Sequence, residues 1–490
     1  VLKRTADFWE RQRRAPLFEA LEQHAKRRPH PFHVPGHKMG HSFDRAGVER
    51  FEPILPLDLT EISGMDDLHQ PEGVIAEAQS LAAEAFGADE TRFLVGGSTA
   101  GNIALILAVC RPGDKIIVQR NSHKSVYHGL MLARATPVYV VPAVDLETGV
   151  AAGLRRDDVE RALQEHPDAK AVFLTNPTYY GMGIDLAKMA AMVHRYDVPL
   201  LVDEAHGAHY GFHPMLPPSA MQCGADAAVQ STHKMASALT MSSMLHIQGD
   251  RIDRERLARA LSMIQSSSPS YLLMASLDLA RRHLVTEAGK EWEKLFPLLD
   301  ELRERINQLR WVEWPGLTAN SVYATLDPLK LLLNLRTRSL TGFHLQALLE
   351  EGGLFPELSD LGHVLLALSA GTAPEDLDAL ARMLEAISPE WTMETARAFH
   401  TGVVASSFLR EQVLPMHEAA DARKESVPIE QAVGRIAGEM MIPYPPGIPL
   451  LAPGERIDGE VVDLLIELRE SQARFHGVKD IRLRSLQVIV

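Results

Sequence analysis

The run Gln230-Ser231-Thr232-His233-Lys234 follows a short apolar stretch, Ala227 to Val229, and precedes another, Met241 to Ile247. That context places Lys234 on a tight connection at the edge of a sheet, not on a solvated helix face. A free lysine, with a pKa of about 10.4, is almost wholly protonated at neutral pH. A lysine that attacks a carbonyl must therefore have a depressed pKa or be held as an imine already. Upstream, Leu200-Leu201-Val202 ends in Asp203, a carboxylate at the end of a buried strand that could pair with a ring N–H⁺. Farther upstream, Gly96-Gly97-Ser98-Thr99 joins a strand to a helix. Backbone N–H groups and the helix dipole attract an anion there, and Ser98 and Thr99 add hydroxyls. A lysine, a strand-end carboxylate and a phosphate cup are what pyridoxal phosphate requires. Each feature has a plainer alternative, since Ser98 and Asp203 are both ordinary helix N-caps. The glycine run also lacks the spacing of a dinucleotide fingerprint or a P-loop. Their order on consecutive βα units is what points to the cofactor.

Other polar residues cluster near the same strand ends. Ser231, Thr232 and His233 can reach a phosphate from the turn that carries Lys234. His123, in Asn121-Ser122-His123-Lys124-Ser125, can stack on an aromatic ring or serve as a satisfied structural histidine. His206 and His209 follow Asp203-Glu204, but no third ligand has convincing spacing, and no metal is expected. His37 lies in a loop between prolines, Pro31 to Gly40, which reads as an arm that packs on a partner or reaches a ligand site.

These residues need a scaffold. From about residue 91 apolar strands alternate with helices: strands at 92–95, 115–118, 138–141, 171–175, 199–202, 227–229 and 241–247. The helices fall at 100–110, 124–134, 156–165 and 185–195. Near-continuous apolar strands separated by helices mean a mostly parallel, seven-stranded α/β sheet covered on both faces. Ligands bind beyond the carboxyl ends of such strands, where Gly97, Ser98, Asn176 and Asp203 fall. A helix over 5–28 precedes, and another spans 74–86. A long helical stretch over 250–310 breaks at Gln265-Ser266-Ser267-Ser268-Pro269. After Trp311 to Gly316 the pattern changes to short strands at 322–325 and 364–368 with helices at 342–351, 374–387 and 392–413, a smaller α+β domain. Four prolines hold Met441 to Pro449 extended. The expected divisions are 1–60, 61–313 and 314–490.

The chain has 490 residues, 46% of them hydrophobic and 23% charged, which fits two or three globular domains. A net charge of −14 argues against nucleic acid or an anionic membrane as partner. No apolar run reaches membrane-spanning length. The first residues lack the apolar core of a signal peptide, and the absent initiator Met suggests trimming. Two cysteines, Cys110 and Cys223, make no disulfide framework, so a reducing, cytoplasmic setting is expected.

Ser231 to Lys234, Asp203, the run 121–125, Pro35-Gly36-His37-Lys38, and Pro443-Tyr444-Pro445-Pro446-Gly447-Ile448-Pro449 closed by Pro453-Gly454-Glu455 together resemble the bacterial Orn/Lys/Arg decarboxylase family. These are fold-type-I pyridoxal-phosphate enzymes. Long members carry an N-terminal wing domain, for which there is no room before residue 35, so the chain resembles the short form. The resemblance implies Lys234 as the Schiff-base lysine, Asp203 as partner of the pyridine nitrogen and His123 as the stacking residue. It implies a phosphate held or flanked by Gly97, Ser98, Thr99, Ser231 and His233, with His206 also at the cofactor. Some long members have an aromatic residue where His206 stands. The segment around Ser267 resembles one that reaches a neighbouring protomer's phosphate, which implies a homodimer with shared sites. Glu357 resembles the glutamate that meets the substrate's distal cation, and His37 joins it as a substrate-binding candidate. The implied reaction is decarboxylation of a basic amino acid in polyamine biosynthesis, arginine ahead of lysine and ornithine. Rival readings are another fold-type-I aminotransferase or lyase, and a non-catalytic cofactor-binding protein.

Overall fold

Apolar strands alternate with helices as the periodicity predicts, and the strands assemble into one mostly parallel sheet. A computed structural model describes residues 5–389, 409–444, 447–471 and 473–490. Seven strands form the main sheet: β1 Glu90–Leu94, β2 Lys115–Gln119, β3 Thr136–Val140, β4 Val172–Thr175, β5 Leu200–Asp203, β6 Ala227–Gln230 and β7 Ser243–Ile247. Their order is β1-β7-β6-β5-β4-β2-β3. β7 runs antiparallel to both β1 and β6. β5 and β6 run parallel, as do β2 with β4 and β2 with β3. Every residue of β5, β6 and β7 is buried, as strands covered on both faces require. The chain divides into two compact units, residues 1–108 with 201–292 and residues 109–200 with 293–490.

In the first unit the single helix expected over 5–28 is two, Ala6–Gln12 and Pro16–Lys26. Pro16 cannot donate a backbone hydrogen bond and bars its predecessor from helical geometry, so it starts a helix and cannot continue one. The carbonyls exposed by the break are taken up by buried Arg281, which donates to Gln12 O and Arg14 O at 2.6 Å each. Asp278, buried beside Arg281, accepts from Leu17 N at 3.0 Å. Helix Val74–Phe86 ends on Gly87, whose φ of +74° supplies a left-handed cap. Helix Gly97–Val109 is apolar all round and packs closely at Gly101, where a Cβ would stand 2.7 Å from Val229 Cγ1. The long helical stretch resolves into Arg254–Ile264, Tyr271–Thr286 and Ala288–Asn307.

In the second unit, helices Lys124–Ala133, Arg156–Glu165 and Leu186–His194 fall where the sequence places them. The α+β portion is a four-stranded antiparallel sheet in the order Val312–Glu313, Lys330–Leu335, His363–Ala367, Leu358–Ser359, with helices Gly342–Glu351 and Pro374–Ala386. The strand expected at 322–325 is displaced to Thr325–Leu326, which pairs with Met182–Gly183. The helix expected at 392–413 lies outside the described residues up to 408, and over its remaining residues, 409–413, the chain is not helical, with Gln412 bridged to Glu455. Within the run expected to be extended, Ile442–Tyr444, which contains Pro443, is extended and pairs with Arg474–His476, and Pro445 and Pro446 lie outside the described residues. Cys110 and Cys223 are free thiols. No described helix is long and apolar enough to cross a membrane.

Candidate active site

The candidate residues of the first unit follow the ends of three strands, β1, β5 and β6, with β7 lying between β1 and β6. Helix Gly97–Val109 begins directly after β1, and Gly97 takes a φ of +71° that favours glycine. Its first-turn N–H groups have no partner within the helix and offer an anion site. Ser231, at the end of β6, donates from Oγ to Ser98 Oγ at 2.9 Å, so two serines from distant parts of the sequence meet. Thr99 is exposed next to them. Val95, just before this turn, donates its N–H to Gln265 Oε1 at 2.8 Å, which fixes the start of the exposed Ser266–Ser268 segment. His69 Nε2 meets Ser266 O at 2.9 Å, so the backbone beside Ser267 is held from both directions.

Asp203 ends β5 and is 3% exposed. Its carboxylate accepts from Asn102 Nδ2 at 2.9 Å and from Ala205 N at 3.1 Å. Burial raises its pKa, and the Lys234 ammonium, Ala205 N–H and Asn102 amide oppose that rise. Lys234 follows β6, but on a one-turn helix, Thr232–Met235, and it is exposed. This corrects the expectation of a non-helical, unsolvated position. The turn closes because Lys234 N donates to Ser231 O at 3.0 Å and Ala236 N to Thr232 O at 2.9 Å. Lys234 Nζ lies 3.0 Å from Nε2 of the buried His206. His233 is oriented by its Nδ1, which donates to Ser242 O at 2.9 Å.

A chain of buried polar groups underlies these strand ends. Glu204, next to Asp203, accepts from Ala220 N at 2.7 Å and from Gln230 Nε2 at 2.8 Å. Gln230, next to Ser231, meets His246 Nε2 at 3.0 Å, and His246 Nδ1 meets Thr91 Oγ1 at 2.8 Å. The four residues sit on or directly after β5, β6, β7 and β1, which are successive neighbours in the sheet. Asn102, Glu204 and Gln230 are the residues that sequence reasoning missed as a group. The one available signal was polar side chains in otherwise apolar runs.

His37, also in this unit, is held within its own arm. Its Nε2 meets Asp58 Oδ2 at 3.1 Å and its Nδ1 accepts from Gly40 N at 3.2 Å.

The second unit holds two further candidates. His123 caps helix Lys124–Ala133, with Nδ1 accepting from Ser125 N at 3.2 Å. Gly447, from the proline-rich segment, packs on its ring: a Cβ there would lie 3.2 Å from His123 Nε2. Lys124 N donates to Gly447 O at 3.0 Å. Three residues before His123, Arg120 is fully buried and donates to both oxygens of Glu455 at 3.2 Å and to Pro449 O at 3.0 Å. These contacts explain the proline-rich signature as the segment that supports the His123 turn. Glu357 is exposed and accepts from the Tyr179 hydroxyl at 2.5 Å.

The donor set fits pyridoxal phosphate. A lysine amine is flanked by an imidazole, a buried carboxylate is held by an amide, and two serines meet at a helix N-terminus. The sheet, with its lysine after β6 and its aspartate ending β5, defines the fold-type-I class of pyridoxal-phosphate enzymes. The chain belongs to the Orn/Lys/Arg decarboxylase family: the family's major domain matches residues 15–314 and its C-terminal domain residues 395–481. It is therefore a decarboxylase. The arginine decarboxylase of Bacillus subtilis is 39% identical over 483 residues, covering 98% of each chain. An uncharacterised protein of the same organism is 42% identical over 483 residues, covering 97% of this chain and 98% of its own length. The solved structure of the Francisella novicida lysine decarboxylase superposes with a TM-score of 0.85 at 24% identity, covering 97% of this chain and 81% of that one, and shares the fold.

Proposed function

We propose that the protein removes the α-carboxylate of L-arginine as carbon dioxide, leaving agmatine, with pyridoxal 5′-phosphate anchored on Lys234. The observation that carries this reading is the Lys234–His206 pair beside buried Asp203 in a chain 39% identical to an arginine decarboxylase over 98% of its length. The bound cofactor would supply an electron sink for the pair left on Cα when the carboxylate departs.

The remaining work belongs to the chain's own residues. Lys234 Nζ is the covalent anchor. The Asp203 carboxylate keeps a proton on the pyridine nitrogen, and Asn102 Nδ2 fixes its orientation. Gly97, Ser98, Thr99, Ser231 and His233 hold or flank the phosphate at the helix N-terminus. His123 is assigned to stack on the ring. Lys234 Nζ and His206 Nε2, 3.0 Å apart, share a proton and return one to Cα. Glu357 receives the guanidinium of the substrate by charge-assisted hydrogen bonds, with His37 as a further substrate contact. Ser267 is assigned to the phosphate of a second copy in a homodimer, which sedimentation would reveal. The division at 60/61 and 313/314 stays part of this reading.

The test is carbon dioxide release from arginine, lysine and ornithine by the full-length protein with pyridoxal phosphate. Arginine is expected to be turned over fastest. Faster release from lysine or ornithine overturns the substrate, and release from none overturns the reaction. Lys234→Ala is expected to abolish the visible absorbance of lysine-bound cofactor, and its survival would reassign the anchor.

A further inference from the structure

Two adjacent tyrosines, Tyr179 and Tyr180, follow β4 in the turn Thr178–Gly181. They reach two carboxylates three residues apart. Tyr180 is buried and donates to Asp360 Oδ2 at 2.9 Å. Asp360 Oδ1 in turn meets His363 Nδ1 at 2.8 Å, and His363 Nε2 meets Thr148 O at 2.8 Å. That line of contacts is largely buried and structural. It fixes the 357–363 segment against the tyrosine turn.

Tyr179 differs. Its hydroxyl donates at 2.5 Å to Glu357 Oε1, and Glu357 is exposed. Water would satisfy an exposed carboxylate as well, and exposed polar pairs contribute little to stability. What the contact supplies is orientation. Glu357 N donates to Leu365 O at 2.9 Å, so the backbone is fixed as well as the side-chain oxygen. The Tyr179 ring is itself located by buried Lys330, whose Nζ lies 5.7 Å from the ring centroid.

We propose that Tyr179 is a specificity-determining residue, which aims the Glu357 carboxylate and joins it in receiving the substrate's guanidinium. This rests on the reading of Glu357 as the receptor for the substrate's distal cation. A phenol oxygen that donates one hydrogen bond keeps lone pairs with which to accept. Tyr179 Oη and the Glu357 carboxylate therefore present a row of acceptor oxygens held in one arrangement. A guanidinium offers donors in a rigid planar fork that matches such a row, whereas an ammonium is a compact point charge on a flexible stem. The pair selects arginine over lysine by geometry, since both tails carry the same charge.

The test uses full-length holoenzyme, steady-state kinetics on arginine and lysine, and Tyr179→Phe, which keeps the ring and its contact with Lys330. Loss of a hydrogen bond to a charged group should raise KM for arginine by about tenfold or more with kcat changed by less than about threefold. The preference for arginine over lysine should fall by a similar factor. In a Glu357→Gln background the same change should add clearly less than it does in the wild type, because Tyr179 acts in part through that carboxylate. An unchanged KM and preference in Tyr179→Phe overturns the proposal. So does a full additional loss in the Glu357→Gln background. Wild-type enzyme that releases carbon dioxide from no basic amino acid overturns the underlying function instead, and the two failures are told apart by the wild-type assay alone.

Discussion

Glu204→Gln probes the buried polar chain beneath the strand ends that carry Asp203 and Lys234. Burial pushes the Glu204 carboxyl up to about 8 from an ordinary 4.5, against hydrogen bonds from Gln230 and Ala220. Burial also pushes His246 down to about 3, so its imidazole is neutral in the folded protein. The folded chain thus retains a proton on Glu204 that the unfolded chain releases. Because the folded pKa lies above the unfolded one, this group's contribution is complete below pH 4.5, declines as pH rises, and is lost by about pH 8. At about 1.36 kcal/mol per pH unit, that window amounts to about 5 kcal/mol. Glutamine copies the protonated acid. If the Gln230 amide turns over, the new amide donates to Gln230 Oε1, Gln230 Nε2 to His246 Nε2, and His246 Nδ1 to Thr91 Oγ1. Each link then keeps one donor and one acceptor, so the variant folds at little cost. The assay is urea unfolding of the full-length protein and the variant across the range from about pH 5 to about pH 8. Wild-type stability should fall with pH relative to the variant by roughly 1.4 kcal/mol per unit. Parallel pH profiles for the two proteins would show that Glu204 is ionised throughout, and the argument from burial would be wrong.

Two further substitutions test the packing that positions the candidate residues. Glu455→Ala leaves Arg120 as a buried guanidinium without its carboxylate and should cost about 3–5 kcal/mol in urea unfolding. Arg120→Met combined with Glu455→Leu should recover much of that loss, and no recovery would mean the pair is not the cause. Gly101→Ala places a methyl 2.7 Å from Val229 Cγ1 and 2.8 Å from Leu94 Cδ1. The overpacking should cost about 1–3 kcal/mol despite alanine's better helix propensity, and a more stable variant in thermal melts would contradict the close approach.

The strands and helices of the sheet were legible because each is a run of apolar residues bounded by turn residues, and the seven strands lie within a few residues of their expected bounds. Lys234, Asp203 and Ser98 were legible because each follows such a run, at the end where a parallel sheet leaves room for a ligand. The break before Pro16 was also written in the sequence, as a proline in mid-helix, but it depends equally on Arg281, more than two hundred residues away. Met182–Gly183 was not legible, and its partner Thr325–Leu326 was expected three residues too early, since two residues carry no periodicity and pairing depends on tertiary contact. Lys234 was expected off any helix because a four-residue turn has no periodic signature either.

What stayed hidden in the candidate site has a common chemistry. Charged and nucleophilic groups announce themselves by type, but the groups that aim them are amides and phenols. Asn102 holds Asp203, and Gln230 ties Glu204 to His246. Tyr179 holds Glu357. Each reaches partners well beyond one helical turn or strand, between 16 and 178 residues away, so no local spacing rule can find it. If Glu357 receives the substrate's distal cation, as proposed, the distinction bears on discrimination. A lone carboxylate attracts any cation, and by charge alone Glu357 would treat the tails of arginine and lysine alike. Selectivity between them requires that the acceptor oxygens be held still, because only a fixed row of oxygens rewards a planar fork over a mobile ammonium. The residue that holds them, and not the residue that bears the charge, is therefore where a change of substrate preference should originate.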